Sequence, residues 1–329
     1  MSYQMTKNPK FNWSVSRHRT MEACELCYGL KYYIPHNGWN RTADDLARAA
    51  YRVKHSKQLQ IFYANILEDA IKRVFEEGTK NTLRATPEGM EKYLKQRLNQ
   101  AVKDSVNMRE QWEIKPREIQ MLSELLHTTK MDAGIIANVK EQMDNNINMF
   151  FQSKSYHQMR DHGTTYEYIG QKMFANFELE ALPNVKMYYH IPLLLMEKGT
   201  NNLTVINYRT TSTKTTSMQL ASIFLGIKYD LKLPIENIVV RDENLTTGRY
   251  TELRLDPQDE EEMIEEILKS VEKMKNYVVD GDLEKNECLP ISELKRSKEH
   301  LDSIYEGTFK SCPHCVAVKR ELKKMLFSL

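Results

Sequence analysis

No stretch of this chain approaches about eighteen uncharged apolar residues, the length a helix needs to cross a bilayer. The polar opening, residues 1–16, also lacks the apolar core of a secretory signal. These two absences predict a cytoplasmic protein with no membrane partner. Net charge is nearly missing as well: 47 Lys and Arg face 45 Asp and Glu, a balance of +2. Bulk charge therefore supplies no attraction to nucleic acid, and any basic surface must be local. Cysteine is scarce, at five residues, and a reducing compartment disfavours disulfides between them. Internal repeats and low-complexity tracts are absent. A last absence is local: between residues 198 and 229 there is no Asp or Glu.

What is present suits a soluble globular chain. At about 100–200 residues per domain, 329 residues make one large domain or two modest ones. The first half reads as helices. Thr20 can cap a helix over 20–33 that Pro35 stops, and Thr42 with Asp45 opens another in the manner of a capping box. Leu59, Phe62, Ile66, Ala70 and Val74 recur at helical spacing before Gly78. Thr86-Pro87 is a cap followed by proline at the first helical position. Segment 115–151 adds at least one long helix, with Ile135, Val139, Met143 and Ile147 in register.

The pattern changes near Tyr166. Apolar, β-branched and aromatic runs at 185–196 and 203–208, separated by a polar, glycine-containing loop at 198–202, predict a hairpin. A helix over 213–231 follows, then strands at 237–241 and 250–255 around a turn at 244–248. Asp256-Pro257 opens an acidic helix with an apolar stripe of Met263, Ile264, Ile267, Leu268, Val271 and Met274; its acid run reads as a solvated face. The order predicts an α/β or α+β fold with a modest sheet flanked by helices. We divide it into a helical region over 1–163 and a core over 164–329, together one intertwined domain.

Four of the five cysteines form two CxxC pairs, Cys24/Cys27 and Cys312/Cys315. Four such thiolates suit tetrahedral Zn²⁺ or an iron–sulfur cluster, and the ends of a domain are often close enough for a clasp. His314 is a possible substitute ligand, and Cys288 reads as an ordinary thiol. Near the second pair, Lys310, Lys319, Arg320, Lys323 and Lys324 face one acid, Glu321. This cluster suits a phosphate backbone or, equally, the C-terminal end of a helix. Arg17, His18 and Arg19 form a second basic group. Tyr28, Tyr32 and Tyr33 read as core rather than as base-stacking residues.

The opening Trp13-Ser14-Val15-Ser16-Arg17-His18-Arg19-Thr20-Met21-Glu22-Ala23-Cys24 resembles the start of RecB-like members of the PD-(D/E)XK nuclease superfamily. The run Leu203-Thr204-Val205-Ile206-Asn207-Tyr208-Arg209-Thr210 is similar to the family's strand ending Asp-Trp-Lys-Thr, and Gln219 falls where its next helix carries a Gln motif. The likeness runs from about Trp13 to Leu326. It implies a restriction-endonuclease-like core, a mixed central sheet flanked by helices, after a large helical region. It also implies a site where carboxylates hold a hard divalent cation that activates water. Relatives of the AddB type and of CRISPR adaptation close their fold with a [4Fe-4S] cluster on one early and three late cysteines. Here Glu321 stands near the place of the last, and Cys27 supplies the fourth thiolate; [4Fe-4S] and Zn²⁺ both remain open.

Position by position, the catalytic set is altered. Pro192 stands for the first Asp, Asn207 for the second carboxylate, Arg209 for the Lys, Glu68 for a helix His and Ile223 for the Tyr of the Gln motif. A guanidinium keeps the charge but cannot act as a base. The acid-free stretch makes the loss independent of exact register. The expectation is a catalytically degenerate, DNA-binding protein, able to dock on a helicase or nuclease partner, with Arg17, Arg19, Arg209, Lys319 and Arg320 at the nucleic acid. The alternative is an active Mg²⁺- or Mn²⁺-dependent DNA nuclease with carboxylates displaced to Glu68, Glu178, Glu180 or Glu197.

Overall fold

The computed structural model describes residues 6–80, 82–126, 128–211, 215–290 and 293–294. Strand β1 (Asn12–Ser14) leads into helices α1 (Val15–Ala23), α2 (Glu25–Tyr32) and α3 (Asp45–Lys54). Strand β2 (Ser56–Lys57), helices α4 (Leu59–Thr79), α5 (Pro87–Asn107) and α6 (Arg109–Ile114), and strand β3 (Met121–Leu122) come next. Helices α7 (Ala133–Phe151) and α8 (Lys154–His162) precede strands β4 (Tyr166–Phe177), β5 (Lys186–Glu197) and β6 (Leu203–Arg209). Helix α9 (Ser217–Leu231), strands β7 (Ile238–Asn244) and β8 (Tyr250–Leu253), and helix α10 (Pro257–Lys275) complete the order. The protein is mixed α/β, as the sequence pattern predicts. Among the described residues no helix is long and apolar enough to cross a membrane.

Several local expectations hold. Helix α4 buries Leu59, Phe62, Ile66, Ala70 and Val74 along one stripe, and Thr86 Oγ1 accepts from Gly89 N at 3.1 Å before α5. Others shift for identifiable reasons. The helix expected over 20–33 is two helices, because Cys24 is extended (φ −168°, ψ 116°) and its sulfur caps α2 by accepting from Cys27 N at 3.4 Å. Asp44, not Thr42, caps α3, accepting from Ala47 N at 2.7 Å. Thr216 caps α9, so that helix starts later than expected. Strand β4 is absent from the periodicity reading. It pairs antiparallel with β5 through successive register shifts between Tyr168 and Ala175, and each shift breaks the two-residue alternation that marks a strand.

The described residues fall into two compact units. Unit 1 draws on Met1–Lys57, Lys103–His127 and Leu268–Leu329 so far as they are described; unit 2 draws on Gln58–Val102 and Thr128–Ile267. In unit 1, Cys24, Leu26, Cys27 and Leu30 pack against Leu46, Ala49, Ala50 and Val53 of α3. Trp13, fully buried, donates to Ser270 Oγ at 2.8 Å, which also meets His18 Nδ1 at 2.8 Å. Tyr33 donates to Asn286 at 3.0 Å, and Asn286 donates to Pro9 O at 2.7 Å. Early and late segments of the chain are thus stitched together within this unit.

Unit 2 contains a sheet in the order β4-β5-β6-β7-β8. Pairing is antiparallel except between β6 and β7, which run parallel. Parallel neighbours need a crossover, and α9 supplies it. Residues Ala221 to Ile227 of α9 are all buried. The helix comes close to β5 at Gly226, where a Cβ would fall 2.6 Å from ring atoms of Tyr189. This arrangement fixes the C-terminal ends of β6 and β7 side by side, and a buried polar cluster is found there.

Candidate functional site

Side chains alternate along a strand, so Asn207 and Arg209 share one face of β6 and Tyr208 takes the other. The parallel register sets Asn207 beside Asp242 of β7. Asp242, only 5% exposed, accepts from Asn207 Nδ2 at 2.8 Å and Thr215 Oγ1 at 2.9 Å on one oxygen, and from Arg209 Nε at 2.7 Å on the other. The sheet therefore does carry a carboxylate next to Arg209, but both its oxygens are engaged by protein donors. A hard divalent cation needs several open, anionic oxygens. The donor set at this spot is one ion-paired carboxylate and a neutral amide, and it does not fit such an ion.

The opposite face holds a second buried acid. Glu243, 2% exposed, accepts from Ser155 N at 3.0 Å and Ser155 Oγ at 2.7 Å. Tyr208 Oη lies 2.7 Å from the same hydroxyl. Burial raises the Glu243 carboxyl above its ordinary range, against the Ser155 hydrogen bonds and the Arg241 charge 3.9 Å away. Burial likewise lifts the Tyr208 phenol well above its usual value. This trio is a satisfied polar core with no open position.

The other residues read from the sequence do not join these clusters. Glu68 on α4 pairs with His190 on β5 at 2.9 Å. Pro192 lies within β5. Gln219 closes a capping box at the start of α9: its side chain accepts from Thr216 N at 3.1 Å while Thr216 Oγ1 accepts from Gln219 N at 3.3 Å. Ile223 is buried on the same helix. Glu178 and Glu180 are exposed, and Glu197 accepts from Asn202 Nδ2 at 3.2 Å. Among the described residues no three His, Cys, Asp or Glu side chains converge as a metal site. Asp242 and Glu243 were missed because the strand was ended at Arg241. Four successive polar residues, 241–244, carry no apolar alternation, so nothing local marks them as buried strand.

In unit 1, Cys24 and Cys27 are both buried at the start of α2. Burial pushes the Cys288 thiol up to about 12, so it stays protonated at neutral pH. Arg17 is almost fully buried, its guanidinium 4.4 Å above the Tyr32 ring, while Arg19 is exposed. Tyr28 and Tyr33 are core residues. A basic neighbourhood continues through Lys54, His55 and Arg117. Burial, with Arg17, Arg117 and Lys31, holds the Lys54 ammonium below its ordinary value. His55, half-buried and facing Arg117 and Lys54, is depressed to about 4 by that burial and the neighbouring charges, and is neutral at physiological pH. Cys312, His314, Cys315, Lys319, Arg320 and Glu321 lie outside the described residues.

No protein-family model matches this chain, and no curated protein matches it. The local chemistry is therefore what the functional reading must stand on.

Two outcomes are expected. Asp242→Asn removes an anionic partner of Arg209 and weakens the bonds from Asn207 and Thr215. It should lower stability by about 2–4 kcal/mol, read as a reduced urea midpoint at constant slope; an unchanged midpoint rejects a structural role for the cluster. For His55 the folded value lies below the unfolded one, so its contribution is complete above the ordinary 6.5 and fades as pH falls through about 4. His55→Gln should therefore flatten the stability–pH curve in that window, and parallel curves for the two proteins contradict the assignment.

Proposed function

We propose that this chain is a degenerate PD-(D/E)XK-type protein that holds DNA without cutting it, on a restriction-endonuclease-like core. The observation that carries the reading is the Asp242 cluster. At the end of β6, where the resemblance calls for a metal between carboxylates, the positive charge is supplied by Arg209, and the Asp242 carboxylate beside it is already neutralised. Arg209 cannot serve as a general base, and its charge is spent on Asp242. The mixed sheet, with strand, strand, helix and parallel strand in succession, agrees with the order that the resemblance implies. A helicase or nuclease subunit is the partner through which a non-cutting core of this type would act on DNA, a link that rests on analogy of fold.

The second reading is an active Mg²⁺- or Mn²⁺-dependent nuclease with displaced carboxylates. The Glu68–His190 pair favours it, since an acid and an imidazole 2.9 Å apart on adjoining elements are a partial ligand set. Labelled single- and double-stranded DNA incubated with the protein and each metal separates the two. The first reading expects retention of DNA on a filter with no cleavage. Metal-dependent cleavage that is lost in Glu68→Ala transfers the assignment to the second.

We further propose that Cys24, Cys27, Cys312 and Cys315 hold one metal centre, [4Fe-4S] or Zn²⁺, with an architectural role. Two features support it: Cys24 and Cys27 share one helix start, and Leu294 packs on Gly29 so closely that a Cβ there would fall 2.6 Å from its Cδ1. The chain thus returns to α2 before its second cysteine pair. Anaerobic purification followed by metal analysis should find iron with a broad visible absorption, or one zinc, and Cys24→Ser should lose either. Protein free of both metals in its native form removes the proposal.

A further inference from the structure

Unit 1 contains a cavity of about 370 Å³ whose charged lining is all of one sign. Lys10, Arg17 and Lys54 line it with Asn12, Tyr32 and His36, and among the described residues no carboxylate does. Arg17 is the built element. Its residue is 92% buried (8% exposed); the guanidinium interacts with the Tyr28 hydroxyl, while among the described residues its fully buried Nη1 has no hydrogen-bond partner. The Tyr32 ring, 4.4 Å from the guanidinium carbon, compensates part of the charge but cannot accept the Nη1 hydrogens in their own plane. An unsatisfied, charged N–H held out of water is costly, and proteins keep one where something outside the chain completes it. Here what is missing is an acceptor with negative charge.

From this geometry we infer that the cavity is a binding site for a terminal phosphate group, a phosphomonoester of nucleic-acid or free-metabolite origin. Three cations match a dianion better than a single carboxylate, and an Arg fork matches the spacing of phosphate oxygens. A recess at the small end of ligand-pocket sizes admits a chain end or a small molecule, whereas a phosphodiester backbone passing over the surface would reach only its rim. This site lies within unit 1 and is independent of the reading of the β6–β7 cluster in unit 2.

The test uses the full-length protein. Inorganic phosphate should raise its melting temperature in a concentration-dependent way. A 3′-labelled single-stranded oligonucleotide bearing a 5′-phosphate should bind about tenfold more tightly than the same oligonucleotide with a 5′-hydroxyl, the worth of one charge-assisted hydrogen bond. A preference for the phosphorylated oligonucleotide over adenosine monophosphate assigns the site to nucleic-acid ends; equal binding of the two assigns it to free phosphomonoesters. Arg17→Gln should abolish the effect, and Lys10→Gln and Lys54→Gln, which leave the buried guanidinium in place, should each weaken it several-fold. Equal affinity for the two oligonucleotides together with no thermal shift by phosphate overturns the proposal. So does phosphate binding that survives Lys10→Gln and Lys54→Gln combined in a protein that still melts cooperatively.

Discussion

A carboxylate set into the middle of a sheet, nearly out of reach of water, must be neutralised or it will unfold its surroundings. Asp242 meets that constraint with donors from two other places in unit 2: Asn207 and Arg209 from β6, and Thr215 from the approach to α9. The arrangement ties the parallel register of β6 and β7 to the entry of the crossover helix. Moving either strand by one residue would turn Asp242 toward the wrong face and leave both charges uncompensated. Thr216 and Gln219, one turn further on, complete the same corner through the capping box.

This constraint also explains what the unit can do chemically. A site for a hard cation keeps anionic oxygens open and lets the ion satisfy them. Here the Arg209 guanidinium and neutral donors of the chain occupy both oxygens of Asp242, with fixed geometry. On the other face Glu243, Ser155 and Tyr208 are equally closed on themselves. Both buried acids of β7 therefore act as parts of the scaffold. In unit 1 the buried Arg17 guanidinium helps line a cavity together with Lys10 and Lys54.

Much of the architecture was legible as local pattern. The apolar stripes of α4 and α7, the Thr86-Pro87 start of α5, and the hairpin of β5 and β6 follow from spacing that neighbouring residues impose on one another. The absence of acid on β6 was legible too, because a stretch without acid lacks it in any register. Strand β4 was not, since its register shifts against β5 erase the alternation. Nor was the break at Cys24, where a sulfur rather than a hydroxyl or carboxylate caps the next helix.

The sequence by itself determined which residue types are available where: helices first, strands after Tyr166, no carboxylate on β6, two paired cysteines near each end. Only the tertiary structure decided which distant residues meet. It brought Asp242 to Arg209 from 33 positions away, and it sank Arg17 beneath the rim of a cavity instead of leaving it beside Arg19 on the surface. The physical reason is range. Backbone propensity and periodicity act over a few residues, whereas neutralising a buried charge depends on strand order and burial, which arise only when the whole sheet is assembled.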